Sequence, residues 1–272
     1  MSEVTTNTAY VHGYSETEAV RLADQARTLT GLLHHDTAYP PGSQVLEAGC
    51  GVGAQTITLA KNSPQAQFTS VDICPESVDQ ARAMAQREGL TNVSLDVVNI
   101  FDAPFEAGAF DHAFVCFVLE HLSKPVEALK RLRGFVKPDG TLTAIEGDHG
   151  SFYCWPETEL ARRTVQCLID AQAAMGGDSL IGRRLYPLLT EAGLRDVSVS
   201  PRMVYVDSSK PELVDGFSKK TFIAMVEGVR DHALDSGMMN EAAWDQGIRD
   251  LYRATESDGT FCYTFFKALG RV

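Results

Sequence analysis

The residues with the clearest chemistry stand together: Glu47-Ala48-Gly49-Cys50-Gly51-Val52-Gly53, with Asp72 about one strand and one helix further on. Closely spaced glycines let a backbone turn tightly and let a ligand come up against the main chain. A helix N-terminus following such a loop adds free N–H groups. A dinucleotide fingerprint, G-x-G-x-x-G, puts a pyrophosphate at that helix end. Counted from Gly51, its third glycine is Thr56, so the loop departs from it. Counted as E-x-G-x-G-x-G from Glu47, every position fits. A carboxylate at the loop mouth would repel a pyrophosphate, yet it can pair, directly or through water, with an ammonium group. An acid closing the next strand, here Asp72, accepts hydrogen bonds from two ribose hydroxyls. The pair indicates a nucleoside that also carries positive charge. S-adenosylmethionine, with a ribose, an amino group and a sulfonium, satisfies both.

The elements that must position these residues are legible around them. Gln44 to Ala48 reads as a short buried strand, with a helix from about Ala54. Phe68 to Asp72 is a second strand; Pro75 suits the first turn of the next helix and Gly89 its end. Val93 to Val98 is a third strand, and Phe110 to Phe117 a fourth, followed by a helix through Leu132. Pro138-Asp139-Gly140 predicts a turn and Thr141 to Ile145 a fifth strand. Strands alternating with helices imply a doubly wound parallel α/β sheet. Beyond it, residues 150–178 read as irregular to helical, and Leu180 to Ala192 as a helix capped by Gly193. Arg195 to Val206 and Thr260 to Leu269 are strand-like. Between them Phe217, Phe222, Met225 and Val229, then Trp244, Ile248 and Leu251, recur at helical spacing. At the N-terminus, Ser15 to Glu18 is a capping box opening an amphipathic helix that Pro40-Pro41-Gly42 closes off.

VLEAGCGVG, the acid in SVDI, and FVLEHL followed by FVKPDGTL resemble the class I methyltransferases that use S-adenosylmethionine. The likeness is strongest to the methyltransferase-domain group acting on small metabolites and covers residues 44–147 closely. A narrower similarity, to bacterial and archaeal methyltransferases without an assigned substrate, is carried by HGYSETEAVRL, EGDHGSFYCWP, DSSKPELVDGF and GTFCYTFF. The resemblance implies a seven-stranded Rossmann-like sheet with an antiparallel last strand. It divides the chain into an N-terminal helical segment over the cofactor site (1–42), a core (43–206 and 259–272) and a helical lid insertion (207–258). It assigns Gly49, Cys50 and Gly51 to the methionine part of the cofactor, Asp72 to the ribose, Ile73 to the adenine face and Phe117 to the sulfonium. Where the family has Gly-Asp-Ala after the third strand, this chain has Val98-Asn99-Ile100, so Asn99, beside Ile100, would accept from the adenine amino group through its carbonyl oxygen. Tyr14 and Gln55 are further cofactor candidates, with Glu47.

For the acceptor the sequence leaves pairs of readings open. Glu120-His121 echoes an E-x-x-E-H metal motif, but its first ligand position is Phe117, so no metal is expected. His121 either packs and caps the turn after the fourth strand or orients and deprotonates the acceptor. Glu146, Asp148 and His149 follow the fifth strand, where open α/β sheets bind ligands; Glu146 is a candidate catalytic group and Asp148 a substrate contact, against a plain polar loop. Tyr153, Trp155, Tyr186 and Tyr205 form either an aromatic pocket or core, with Trp155 and Tyr186 the chosen substrate contacts. Arg183-Arg184 could grip an anionic acceptor or face solvent. Within the insertion, Phe222 and Met225 are the expected acceptor contacts.

Composition bounds the rest. With 36 acidic against 24 basic residues the net charge is −12, which disfavours a phosphate-backbone partner. Lys130, Arg131 and Arg133 read as a solvated helix face. No run approaches the ~18 apolar residues of a membrane span, and MSEVTTNTAY lacks the marks of a secretory signal. The six cysteines show no CxxC spacing, so reduced thiols in the cytoplasm are expected. The expected partner is therefore a small-molecule methyl acceptor. The competing readings are a methyltransferase fold recruited for a non-methylating cyclase or isomerase reaction, and a nicotinamide-dependent oxidoreductase.

Overall fold

The computed structural model describes residues 28–272. One sheet of seven strands runs β3-β2-β1-β4-β5-β7-β6. In chain order these are β1 (Gln44–Ala48), β2 (Gln67–Asp72), β3 (Val93–Val97), β4 (Phe110–Cys116), β5 (Val136–Trp155), β6 (Arg195–Val206) and β7 (Thr260–Arg271). The first five are parallel to one another, whereas β7 runs antiparallel to both β5 and β6. This is the expected class I methyltransferase topology. The chain steps outward from β1 to β3 and then returns to place β4 beside β1. That reversal opens a crevice above the C-terminal ends of β1 and β4, where such sheets take ligands.

Alternating side chains sort the strands into two cores. Val45, Phe114 and Ile145 face one side with Leu59 and Ala60 of α1 (Ala54–Asn62) and Ala161, Val165 and Leu168 of α4 (Glu159–Ala174). Leu46, Val115 and Ala144 face the other with Leu129 and Leu132 of α3 (Pro125–Phe135) and Leu185, Leu188 and Leu189 of α5 (Leu185–Glu191). A smaller cluster seats α2 (Pro75–Arg87) through Val78, Ala81 and Ala85 against Cys50 and Leu95. Residues 28–34 are helical, and Leu29 and Leu33 bury into the first core. The capping box and the earlier part of that helix lie outside the described residues.

Four local expectations change. Pro138-Asp139-Gly140 does not break the chain; β5 passes through it, with Asp139 at φ 65°, because β7 pairs along β5 from Thr141 to Trp155. The segment after Cys116 is a 3-10 turn, Leu119–His121, before α3 begins at Pro125. Residues 181–191 divide into a 3-10 turn, Ile181–Arg184, and α5, in place of one helix. Finally, the first helix of the insertion is π-helical over Val214–Ile223 before an α-turn at Ala224–Glu227. Phe217, Ser218, Thr221, Phe222 and Ile223 all bury. A widened turn brings more side chains onto one face than 3.6-residue periodicity permits. Two helices follow, α6 (Arg230–Asp235) and α7 (Glu241–Arg253), the latter with Asn240 accepting from the Ala243 amide at 2.9 Å as its N-cap.

Candidate active site

The glycine loop joins β1 to α1, and Gly49, Gly51 and Gly53 all take positive φ. Two of them answer to different pressures. A Cβ on Gly49 would lie 2.3 Å from Val118 Cγ2, so that glycine lets the loop pack on the turn after β4. A Cβ on Gly51 would meet no described residue within 4 Å, so its glycine answers to its positive φ and not to packing within the described chain. Asp72 is fixed at the end of β2: its Oδ2 accepts from the Gly51 amide at 2.8 Å and its Oδ1 from the Cys74 amide at 2.9 Å. Beside it lies an apolar shelf. Ile73 is 45% exposed, and Val97, the register partner of Asp72 on β3, is 46% exposed. Sequence reasoning missed Val97, although its place as the last residue of β3 was the available signal.

Glu47 sits deeper than a loop-mouth acid. It is buried, and its Oε2 accepts from Thr56 Oγ1 at 2.7 Å and Ser70 Oγ at 2.6 Å. Thr56, the residue that spoils the dinucleotide fingerprint, thus serves to tie α1 to β1. Burial pushes the Glu47 carboxyl up to about 7. Cys50 is buried too, and burial holds its thiol far above the ordinary range. Gln55 Oε1 accepts from His34 Nε2 at 2.6 Å, linking α1 to the N-terminal helix, while burial lowers His34 to about 4. Asn99 turns inward on its own loop: its Oδ1 accepts from the Phe101 amide at 3.0 Å and its Nδ2 donates to Asp102 at 3.1 Å. Ile100 packs at the margin of the second core. Tyr14 lies outside the described residues.

Phe117 ends β4 in the left-handed region, at φ 57°, which costs a non-glycine residue on the order of 1 kcal/mol. The bend is held on both sides. The Phe117 amide donates to Ile145 O at 3.0 Å, and the Val118 and Leu119 amides donate to Glu146 Oε1 at 3.1 and 2.8 Å. Glu146 is fully buried, and burial, with Glu120 nearby, raises its carboxyl well above the usual range. Glu146 thus braces the turn that carries Phe117, Glu120 and His121. Asp148 is likewise engaged, receiving Arg183 in a bidentate pair at 2.7 Å and 2.7 Å and the Gly150 amide at 3.1 Å. Arg184 pairs with Asp178. Both arginines are therefore occupied by carboxylates of this chain.

His121 Nε2 stands 3.5 Å from Glu120 Oε1, and its side chain keeps some exposure. His149 Nδ1 meets the Tyr263 hydroxyl at 2.7 Å. Phe222 stacks on Phe152 at 5.0 Å and lies edge-on to Phe261 and Tyr263, with His149 at 6.1 Å, so the insertion's rings join the His149–Tyr263 pair. Met225 is buried in the same core. Trp155 and Tyr186 are not brought there. Trp155 is 66% and Tyr186 57% exposed. Tyr153 and Tyr205 both pair with Cys262, and Trp155 with Thr260, so these rings lie on the sheet face opposite Phe261 and Tyr263. They form neither core nor pocket.

The methyltransferase-domain family matches residues 40–193. The chain belongs to that family. A Streptomyces fradiae protein of 37.1 kDa from transposon TN4556, without a described activity, is 31% identical over 75% of this chain, which spans 59% of that protein's length. The methyltransferase str2 of Strobilurus tenacellus is 25% identical over 83% of this chain and 82% of its own. Among solved structures, the [4+2]-cyclase SpnF superposes with a TM-score of 0.52 at 19% identity, over 93% of this chain and 80% of that one, a likeness of fold. No described helix of this methyltransferase-family chain is long and apolar enough to cross a membrane.

Proposed function

We propose that this protein transfers the methyl group of S-adenosylmethionine to a nucleophilic atom of a small molecule. The observation that carries the reading is Asp72: both its oxygens are oriented by backbone amides, beside the open Gly51 and the Ile73–Val97 shelf. A carboxylate so held can accept from vicinal ribose hydroxyls while the shelf takes an adenine face. The residues present thus fit the cofactor. Gly49, Cys50 and Gly51 would hold its methionine end, and Asp72 and Ile73 its nucleoside. Bound there, it supplies a methyl group on a positively charged sulfur.

The chain contributes position and dryness. Phe117 is held by its bent backbone at the crevice, and residues 207–258 would form the cover. His121, backed by Glu120, is the group placed to take a proton from the acceptor. Titration calorimetry should show one S-adenosylmethionine site per chain, and incubation with an acceptor should release S-adenosylhomocysteine. No binding would refute the cofactor reading. Binding with product formed and no S-adenosylhomocysteine released would favour the cyclase-like alternative, which gains support from the 36% identity over 40% of this chain to the S-adenosylmethionine-dependent Diels-Alderase iccD of Talaromyces variabilis.

A further inference from the structure

At the rim beyond β4 and β5, three enclosed oxygens lack a hydrogen-bond partner among the described residues: Glu146 Oε2, Gln172 Oε1 and Ser179 Oγ. Their residues are 0%, 1% and 2% exposed. The three belong to one network. Gln172 Nε2 donates to Glu120 O at 3.2 Å and approaches Glu120 Oε2 at 3.4 Å. The Asp178 amide donates to Glu120 O at 2.7 Å, and the His149 amide to Ser179 O at 2.9 Å. Glu146 in turn holds the amides preceding Glu120. Folded proteins pair nearly all their buried polar atoms, and each one left unpaired costs about 1–3 kcal/mol. Several orphans in one network mark a place where a ligand completes the bonding.

The chemistry of the orphans selects that ligand. An amide oxygen and a carboxyl oxygen accept, and a hydroxyl does either. The arginines that could have offered donors, Arg183 and Arg184, are bound to Asp148 and Asp178. Beside the network stand the rings of Phe152, Phe222 and Tyr263. We propose that Gln172, Ser179 and Glu146 form the polar anchor of the methyl acceptor, recognising an amino or hydroxyl group on a ring-bearing apolar body and rejecting carboxylates and phosphates. This rests on the methyltransferase reading above. Burial raises the Glu146 carboxyl, and an amino or hydroxyl donor arriving at Oε2 favours the ionised form, in which that oxygen accepts.

The test uses the full chain loaded with S-adenosylhomocysteine, whose binding is first measured by calorimetry; failure at that step would refute the cofactor reading. Three matched probes, 2-phenylethylamine, 2-phenylethanol and phenylacetate, are then titrated by ligand-observed NMR. The amine or the alcohol should bind at least tenfold more tightly than the carboxylate, and whichever binds better names the donor. Ser179→Ala should erase much of that preference while leaving the melting temperature unchanged or raised, since its hydroxyl pairs with none of the described residues. A structural role predicts the reverse. Gln172→Met should abolish the preference with S-adenosylhomocysteine affinity intact. Equal binding of phenylacetate, no binding by either donor probe, or a preference that survives both substitutions would overturn the proposal.

Discussion

The part of the crevice proposed for the cofactor and the part proposed for the acceptor are built on different plans. Around β1 and β2 the polar groups satisfy one another locally: Asp72 takes amides from Gly51 and Cys74, and Glu47 takes hydroxyls from Thr56 and Ser70. Beyond β4 and β5 the groups come from separated stretches, near residues 120, 146, 172 and 263, and some stay unpaired. A rigid, satisfied half suits a ligand shared by a whole family. A half with open valences suits one that this chain alone must recognise.

Substitutions can break that comparison. The largest effect is expected at Gly51. Its added side chain meets no described residue, so Gly51→Val should fold, at a cost of roughly 1–2 kcal/mol for the positive φ, and lose detectable cofactor binding. Gly49→Val, colliding with Val118, should instead fail through stability. Normal calorimetric binding by the folded Gly51 variant would move the cofactor elsewhere. Next is Glu146→Ala, which strands the buried Val118 and Leu119 amides and should lower unfolding free energy by about 2–6 kcal/mol in denaturant titrations. A loss below about 1 kcal/mol would end its role as a brace.

His121→Asn should leave cofactor affinity alone and cut turnover by about 10²-fold if the imidazole takes the acceptor proton. A rate within threefold of the parent returns it to a packing role. Asp72→Ala should weaken S-adenosylmethionine by ~1.5–3 kcal/mol, the value of hydrogen bonds to a charged acceptor; unchanged affinity would remove Asp72 from the ribose site.

The smallest effect concerns pH. His34 is lowered to about 4 when folded, against 6.5 unfolded, so the unfolded chain binds the proton first and stability falls as pH drops from 6.5 to 4. Glu47, raised to about 7, contributes the opposite slope, losing stability as pH rises from 4.5 to 7. His34→Gln should flatten only the first, by about 1–3 kcal/mol between pH 7 and 4. Parallel stability–pH curves for parent and variant would contradict the buried, neutral imidazole.

The glycine loop, the acid closing β2 and the alternation of strands and helices were fixed by neighbours in sequence, because tight turns, strand ends and helix starts are local events. That sufficed for the strands along the chain, while the seven-stranded sheet was implied by the family resemblance. It did not suffice for Glu146, whose role depends on amides 27 and 28 residues away, nor for Asp148, whose partner Arg183 arrives from a 3-10 turn 35 residues later. Trp155 and Tyr186 carry the composition of a pocket but stand in solvent, Trp155 because its register with Thr260 turns it to the sheet face opposite Phe261 and Tyr263, Tyr186 on an exposed face of α5. Gln172 and Ser179 gave no signal in the sequence at all. An amide in a helix and a serine in a loop become a site only when folding encloses them without partners, and enclosure is a property of the tertiary structure.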